Sequence, residues 1–162
     1  MEIPKETLGL AGEYAVASEL CKRGIYAQLT LGNRKSVDLL LDVADGGMLR
    51  VQVKSKQGKE WPACKAFARE KAEVLVLVDF QKIKEAGDQR PDFYILTGED
   101  WKNVIDEADD IKKGWATIRD GIIVYTDGWK GLNVNPKMVQ IYAEQWDKIR
   151  GMLNLKFAAH SS

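Results

Sequence analysis

The chain has 162 residues and carries 24 Lys and Arg residues against 24 Asp and Glu residues, so its formal charge is zero. This length fits one domain, and the balanced charge argues against a protein that holds nucleic acid by a uniformly basic surface. The single histidine, His160, excludes a catalytic zinc site built from several histidines and argues against nucleophilic systems that need a positioned imidazole.

The first half of the chain predicts a helix followed by three short strands. Apolar residues recur at helical spacing over residues 6–23, and Gly24 is a natural end for that helix. Alternating apolar residues then predict strands over 25–31, 36–43 and 48–55. The Asp-Gly pair at 45–46 indicates a tight hairpin between the second and third strands, because glycine accepts a positive φ without steric cost.

The second half predicts helix–strand units. A helix is expected after Pro62, ending near residue 71, and the apolar run over 74–80 is typical of a buried central strand. A turn over 87–91 and a strand over 93–96 follow.

The remaining pattern predicts two amphipathic helices separated by a strand over 121–125. Thr97 is the expected N-cap of the first, over 97–113. Asn135 and Pro136 open the last helix, since proline is favoured at the first helical position. Its apolar stripe is formed by Val139, Tyr142, Trp146, Ile149 and Leu153.

These elements together predict an α/β (α+β) fold in one domain, 1–162, with a core over about 6–96 and a helix–strand–helix extension over about 97–155. The order is a helix, a β-meander, then a helix and a strand. We therefore expect a mixed central sheet flanked by helices.

The predicted hairpin brings three polar residue types together. If the turn is centred on residues 45–46, paired residues have numbers that sum to about 91, which sets Asp38 opposite residue 53, within one position. Strand side chains alternate between faces, so Gln52 and Lys54 share one face. A carboxylate, a carboxamide and an amine therefore converge, although the same pattern could also be a solvated strand face.

This group of side chains has a plausible metal chemistry. The Asp38 carboxylate, the Gln52 amide oxygen and the Val53 backbone carbonyl are the oxygen ligands that Mg²⁺ prefers. Lys54 would lie beside such an ion, where it could stabilise charge on a phosphate or help to position an attacking water.

The same residues resemble a known family. Val37-Asp38, the later Gln52-Val53-Lys54, and the 74–78 strand look like the PD-(D/E)XK nuclease superfamily. Residues 12–25, with the Gly12-Glu13 pair, resemble the first helix of its small prokaryotic, Holliday-junction-resolvase-like members. Residues 91–96 resemble a later strand of such relatives.

The resemblance implies a restriction-endonuclease-like core and a set of catalytic residues: Glu13, Asp38, Gln52 and Lys54. Asp38 and Gln52 would bind Mg²⁺ or Mn²⁺, Glu13 would assist through water, and Lys54 would be the motif lysine. Gln52 replaces the usual carboxylate, which implies weaker metal affinity because one negative charge is missing.

The charge distribution favours a nucleic-acid partner near these residues. Segment 50–71 holds seven basic and two acidic residues, a net +5, whereas 99–110 holds one basic and six acidic residues, a net −5. The predicted nucleic-acid-binding residues are Arg34, Lys35, Lys56, Lys59 and Trp61. Two ordinary solvated faces would give the same count, and a tryptophan in such a position more often packs on the core.

The sequence therefore predicts a metal-dependent endonuclease, with DNA favoured over RNA and a homodimer as a possible form. A nuclease-fold protein that only binds nucleic acid or protein is one alternative. A protein that binds a basic partner through its acidic helix, 97–113, is the other.

The compartment predicted is the cytoplasm, with no membrane partner. The N-terminus lacks a basic segment followed by an apolar stretch. The strongest apolar run, 74–78, is far shorter than the ~20 residues that span a bilayer. Cys21 and Cys64 fit no metal-binding spacing.

Overall fold

Helices surround a central sheet in the structure, a computed structural model that describes residues 2–30, 37–43, 46–64, 72–84, 90–120 and 122–160. In chain order the elements are α1 (Lys5–Lys22), β1 (Ala27–Leu29), β2 (Leu39–Val43), β3 (Gly47–Lys56), β4 (Trp61–Cys64), β5 (Val74–Asp79), β6 (Asp92–Thr97), α2 (Gly98–Asp106), α3 (Asp109–Lys112), β7 (Ala116–Arg119), β8 (Ile122–Tyr125), β9 (Leu132–Val134), α4 (Pro136–Val139), a 3₁₀ helix (Gln140–Tyr142) and α5 (Asp147–His160).

The main sheet has the strand order β1-β2-β3-β5-β6. Strands β3 and β5 are parallel, and the other neighbours are antiparallel. Strands β4 and β9 form a separate two-stranded sheet, as do β7 and β8. The predicted mixed α/β fold with a mixed central sheet between helices is confirmed.

Two apolar cores lie on the two faces of the main sheet. The first face packs against α1 and α5, through residues such as Leu20, Val51 and Ile149. The second face packs against α2 and the β4–β9 sheet, through residues that include Leu75 and Trp101. All six residues of β5 are buried, because this strand has neighbours on both edges and cores on both faces.

Two predicted helix boundaries are explained by local contacts. Helix α1 stops before Gly24, which has a φ of 74°, and the Ile25 N–H donates to the Leu20 carbonyl at 3.0 Å. Thr97 is the N-cap of α2, as predicted. Its side chain accepts from the Asp100 N–H at 3.2 Å, and the Asp100 carboxylate accepts from the Thr97 N–H at 2.8 Å.

The prediction of a helix directly after Pro62 is wrong for residues 63–64. Pro62 lies in β4, where Trp61 pairs with Val134 and Cys64 with Leu132. A partner some seventy residues away decides this conformation, and local sequence does not reveal it. The rest of the predicted helix, 65–71, and most of the predicted turn over 87–91 lie outside the described residues.

The two later helices are shorter than predicted. The 97–113 segment divides at Glu107 and Ala108 into α2 and α3, and the unpredicted strand β7 then pairs with β8.

The 136–153 segment also divides, into α4, a 3₁₀ turn and α5. A bridge between Tyr94 and Ala143 draws the chain toward β6, and Glu144 has a φ of 56°. Val139, Tyr142, Trp146 and Ile149 are buried all the same, from separate elements. No described helix combines the length and apolarity needed to cross a membrane.

Candidate functional site

The β2–β3 hairpin brings Asp38 beside Gln52. Leu39 pairs with Val51 and Val43 with Gly47, so paired residues have numbers that sum to 90. The difference of one from the prediction arises because three residues connect the strands, the last being Gly46 with a φ of 82°. The same sum sets Asp38 opposite Gln52, one residue from the predicted position 53.

The Asp38 carboxylate is fixed to the backbone of β3. Its Oδ2 accepts from the Val53 N–H at 2.6 Å, and the Asp38 N–H donates to the Val51 carbonyl at 2.9 Å. Burial raises the pKa of Asp38 above its ordinary value, although the Val53 hydrogen bond and the positive charge of Lys54 oppose that rise. The side chain is therefore held in one orientation in a partly desolvated place.

Glu13 lies near this carboxylate, on α1. Its pKa is raised, first by burial and second by the negative charge of Asp38. The two carboxylates, 25 residues apart in the sequence, are thus within electrostatic reach of each other. The two carboxylates repel each other when both are ionised, and a cation between them would reduce that repulsion.

Gln52 and Lys54 lie on the second face of the sheet. They pair with Leu75 and Leu77 of β5, which belong to the core on that face, and both polar residues are partly exposed. Val53 points the other way, into the first core. Because side chains alternate along β3, Val53 packs in the first core while Gln52 and Lys54 lie on the opposite face.

The donor set fits a hard divalent cation that keeps several waters. Within the described ranges, no group of three or more His, Cys, Asp or Glu side chains could hold a metal ion. Glu13 and Asp38 supply two carboxylates, and Gln52 would have to supply a neutral oxygen in place of a third acid. Mg²⁺ and Mn²⁺ accept such oxygen ligands with water completing the shell.

Trp61 is not available for stacking on a base, so its prediction as a nucleic-acid-binding residue is wrong. Its side chain is buried, with 1% exposed. The indole N–H lies 3.0 Å from the Lys54 carbonyl and 3.2 Å from the Val78 carbonyl, and the ring packs edge-on against Tyr94. Trp61 therefore joins β3 to β5 from beneath the site.

Lys56 is also wrongly predicted as a nucleic-acid contact, because its side chain is 1% exposed. Its ammonium group lies 2.7 Å from Asp79, donates to the Gly58 carbonyl and Gln81 Oε1, and sits over the Trp61 ring. This cation is satisfied inside the protein. Lys59 is exposed, and Arg34 and Lys35 lie outside the described residues.

A cleft of about 1370 Å³ opens beside Lys54. The beginning of α1, the end of β3 and strand β4 line it, and Lys5 and Lys84 contribute two further lysines. Glu2 and Glu60 supply acidic groups on the same walls. Sequence reasoning missed Lys5 and Lys84, since no local pattern joins residues so far apart along the chain.

Several acidic residues of the segment from α2 to α3 have partners within the chain. Salt bridges join Asp106 to Lys102, Glu107 to Lys112 and Asp100 to Lys148. The Tyr125 hydroxyl donates to Asp110. These contacts give the acidic residues structural partners within the chain.

The mixed sheet, the hairpin beside Asp38 and the helix that carries Glu13 together define a mixed α/β fold. A solved structure with this architecture is that of I-Ssp6803I, described as a bacterial homing endonuclease. The match covers 99% of both chains with a TM-score of 0.58 and 17% sequence identity, which shows a shared fold. No family model and no curated protein matches this sequence.

Proposed function

We propose that this protein is a metal-dependent endonuclease of the PD-(D/E)XK type that hydrolyses phosphodiester bonds, in DNA rather than RNA. One observation carries the proposal: Glu13 and Asp38 lie within electrostatic reach of each other, with Lys54 beside them, on a fold shared with an endonuclease. The absence of a positioned histidine is compatible with this chemistry, since carboxylates and a lysine suffice for it.

In this proposal each side chain has a separate task. Asp38 and Gln52 would hold Mg²⁺ or Mn²⁺, with the Val53 carbonyl as a further ligand and Glu13 assisting through water. Bound there, the cation would supply Lewis-acid stabilisation of charge on the phosphate. The Val53 N–H keeps Asp38 oriented, and the Lys54 ammonium group neutralises negative charge that develops on a phosphate oxygen.

The cleft beside Lys54 is the proposed path of the nucleic acid. Lys5 and Lys84 on its walls, and Lys59 on the loop between β3 and β4, would contact phosphates. Such contacts release counterions, so binding should weaken steeply with added salt. Arg34 and Lys35 remain proposed contacts on sequence grounds alone.

A substrate panel tests the proposal. Purified protein is incubated with plasmid, linear, single-stranded and four-way-junction DNA, with and without Mn²⁺. We expect Mn²⁺-dependent cleavage of at least one substrate, lost in Asp38→Ala and retained in Asp42→Ala. Asp42 is the matched control because it is an exposed aspartate on β2, the strand that begins directly after Asp38. Equal cleavage by the wild type and Asp38→Ala would contradict the assignment.

A non-catalytic binding module is the second candidate, and Gln52 favours it because a neutral amide stands where a third acid would strengthen metal binding. Calorimetric titration with Mn²⁺ separates the two functions. An enzyme should bind the ion at one site, and Gln52→Glu should tighten binding because it adds a negative charge. Gln28→Glu, an exposed position on β1, is the control for charge alone. A wild type that binds DNA but no Mn²⁺ would favour the module.

A further inference from the structure

Helix α1 approaches strand β3 unusually closely at Gly12. A Cβ atom added there would lie 1.9 Å from Ser55 Oγ, 3.2 Å from Ser55 Cβ and 3.5 Å from Val53 Cγ1. Gly9, three residues earlier on the same helix, would have no heavy atom within 4 Å of its added Cβ. The close packing of α1 on β3 therefore disfavours a side chain at position 12, whereas position 9 has space for one.

The Ser55 hydroxyl group at this contact is itself in an unfavourable environment. Its Oγ is buried and has no hydrogen-bond partner among the described residues, an arrangement that is unfavourable for a polar group. Rotation of the hydroxyl would remove the shortest approach, yet the 3.2 Å separation from Ser55 Cβ would remain. A methyl group at Gly12 therefore requires the Ser55 side chain to rotate and α1 and β3 to separate by a few tenths of an ångström.

The contact joins the two elements that carry the proposed metal ligands. Gly12 directly precedes Glu13 on α1. On β3, Val53 and Ser55 flank Lys54, and the Val53 N–H holds the Asp38 carboxylate at 2.6 Å. The spacing between α1 and residues 53–55 consequently fixes the separation between Glu13 and Asp38.

We propose that Gly12 is a positioning residue: its direct packing on Ser55 sets the distance between helix and strand at which Glu13 reaches a cation held by Asp38. This inference rests on the proposed metal site and adds a residue to it. Gly12 acts through Glu13 and touches neither metal nor substrate.

Calorimetric titration with Mn²⁺, on folded proteins checked by circular dichroism, tests this. Gly12→Ala should weaken Mn²⁺ affinity about 10-fold, the size of effect seen when the support of a ligand is disturbed. Its cleavage rate should fall by about 10-fold, because a displacement of about 1 Å at a reacting centre costs about 100-fold and the shift expected here is smaller. Gly9→Ala should match the wild type in Mn²⁺ affinity.

Rescue distinguishes positioning from general damage. Ser55→Gly removes both short contacts, so the double variant with Gly12→Ala should regain the Mn²⁺ affinity of Ser55→Gly alone. If Gly12→Ala alone does not fold, the Mn²⁺ affinity of the double variant still tests the inference.

Three results would overturn the inference: wild-type affinity in Gly12→Ala, an equal loss in Gly9→Ala, or no recovery in the double variant while Ser55→Gly binds. Wild-type affinity in Asp38→Ala would instead contradict the proposed metal site, and the inference would fall with it.

Discussion

At the scale of single residues, the site holds two acids where their charge is unfavourable. Burial raises the pKa values of Glu13 and Asp38, and the charge of Asp38 adds to the rise at Glu13. Residues arranged for function often reduce the stability of the fold in this way. At Asp38 the charge of Lys54 and the Val53 hydrogen bond offset only part of the rise.

Removing the Glu13 charge should therefore stabilise the metal-free protein. A raised folded-state pKa means that the folded protein favours the protonated acid, so stability is lost as the pH rises through that pKa. Glu13→Gln should melt a few degrees higher than the wild type near pH 7 in chelator, and the difference should shrink below the unfolded value of 4.5. Thermal unfolding followed by circular dichroism at both pH values measures this, and a lower melting temperature for Glu13→Gln near pH 7 would contradict it.

At the scale of elements, the sequence predicts the pieces whose pattern is local. The alternation in β2 and β3, the apolar run of β5 and the Thr97 capping box all follow from neighbouring residues. The strand at Trp61 and the break at Ala143 depend on pairing with Val134 and Tyr94, which periodicity does not reveal. The candidate site was predictable because a short hairpin fixes its register, whereas its cleft is formed by distant segments.

The ends of β3 and β5 are joined by a buried ion pair, Lys56–Asp79, whose partners are also in register. Lys56→Met should destabilise the fold by about 3–5 kcal/mol, because Asp79 is left buried without its cation. The double variant Lys56→Met/Asp79→Asn should recover most of this loss, since asparagine is neutral and can still accept from the Gln81 N–H.

Urea unfolding of the single and double variants measures the effect. Lys102→Met removes an exposed lysine from an ion pair and should change the free energy of unfolding by about 1 kcal/mol or less. If Lys56→Met has the same free energy of unfolding as Lys102→Met, the buried ion pair does not contribute to the stability of the fold.

At the scale of the whole molecule, one ion-pair network links distant segments. Arg90 donates to Glu19 on α1 at 2.8 and 3.0 Å, and to Glu144, ahead of α5, at 2.8 and 2.9 Å. Hydrogen bonds from Arg90 hold the pKa of Glu19 well below its ordinary value, with Lys22 and Arg23 contributing. This network joins α1 to the segments that precede β6 and α5.

Arg90→Leu should reduce stability at neutral pH by about 1–3 kcal/mol, the usual worth of hydrogen bonds to charged groups. A lowered carboxyl pKa contributes stability that is present above the unfolded value of 4.5 and is lost as the pH falls toward the folded value. The wild type should therefore lose its advantage over Arg90→Leu in acid. Chemical unfolding across this pH range measures the difference, with the exposed Arg119→Leu as control, and an advantage that does not change with pH would contradict the account.

The zero net charge of the chain is the sum of a basic first part and an acidic second part. Residues 1–71 carry 12 basic and 9 acidic groups, and residues 72–162 carry 12 and 15. Counting charges overstates the basic surface, because Lys56 is buried against Asp79, and it overstates the acidic surface, because Asp106 and Glu107 have lysine partners. Charge counts along the chain therefore do not identify which lysines face solvent.

Lys54 gives the most direct test of the central claim, that this site hydrolyses phosphodiester bonds with a metal ion. The measurement is the single-turnover cleavage rate of a DNA substrate at saturating Mn²⁺ for the wild type, Lys54→Ala and Lys102→Ala. The account predicts a loss of about 100-fold or more in Lys54→Ala, from removal of a charge that acts in the transition state, with Lys102→Ala unchanged. Equal rates for Lys54→Ala and Lys102→Ala would contradict it.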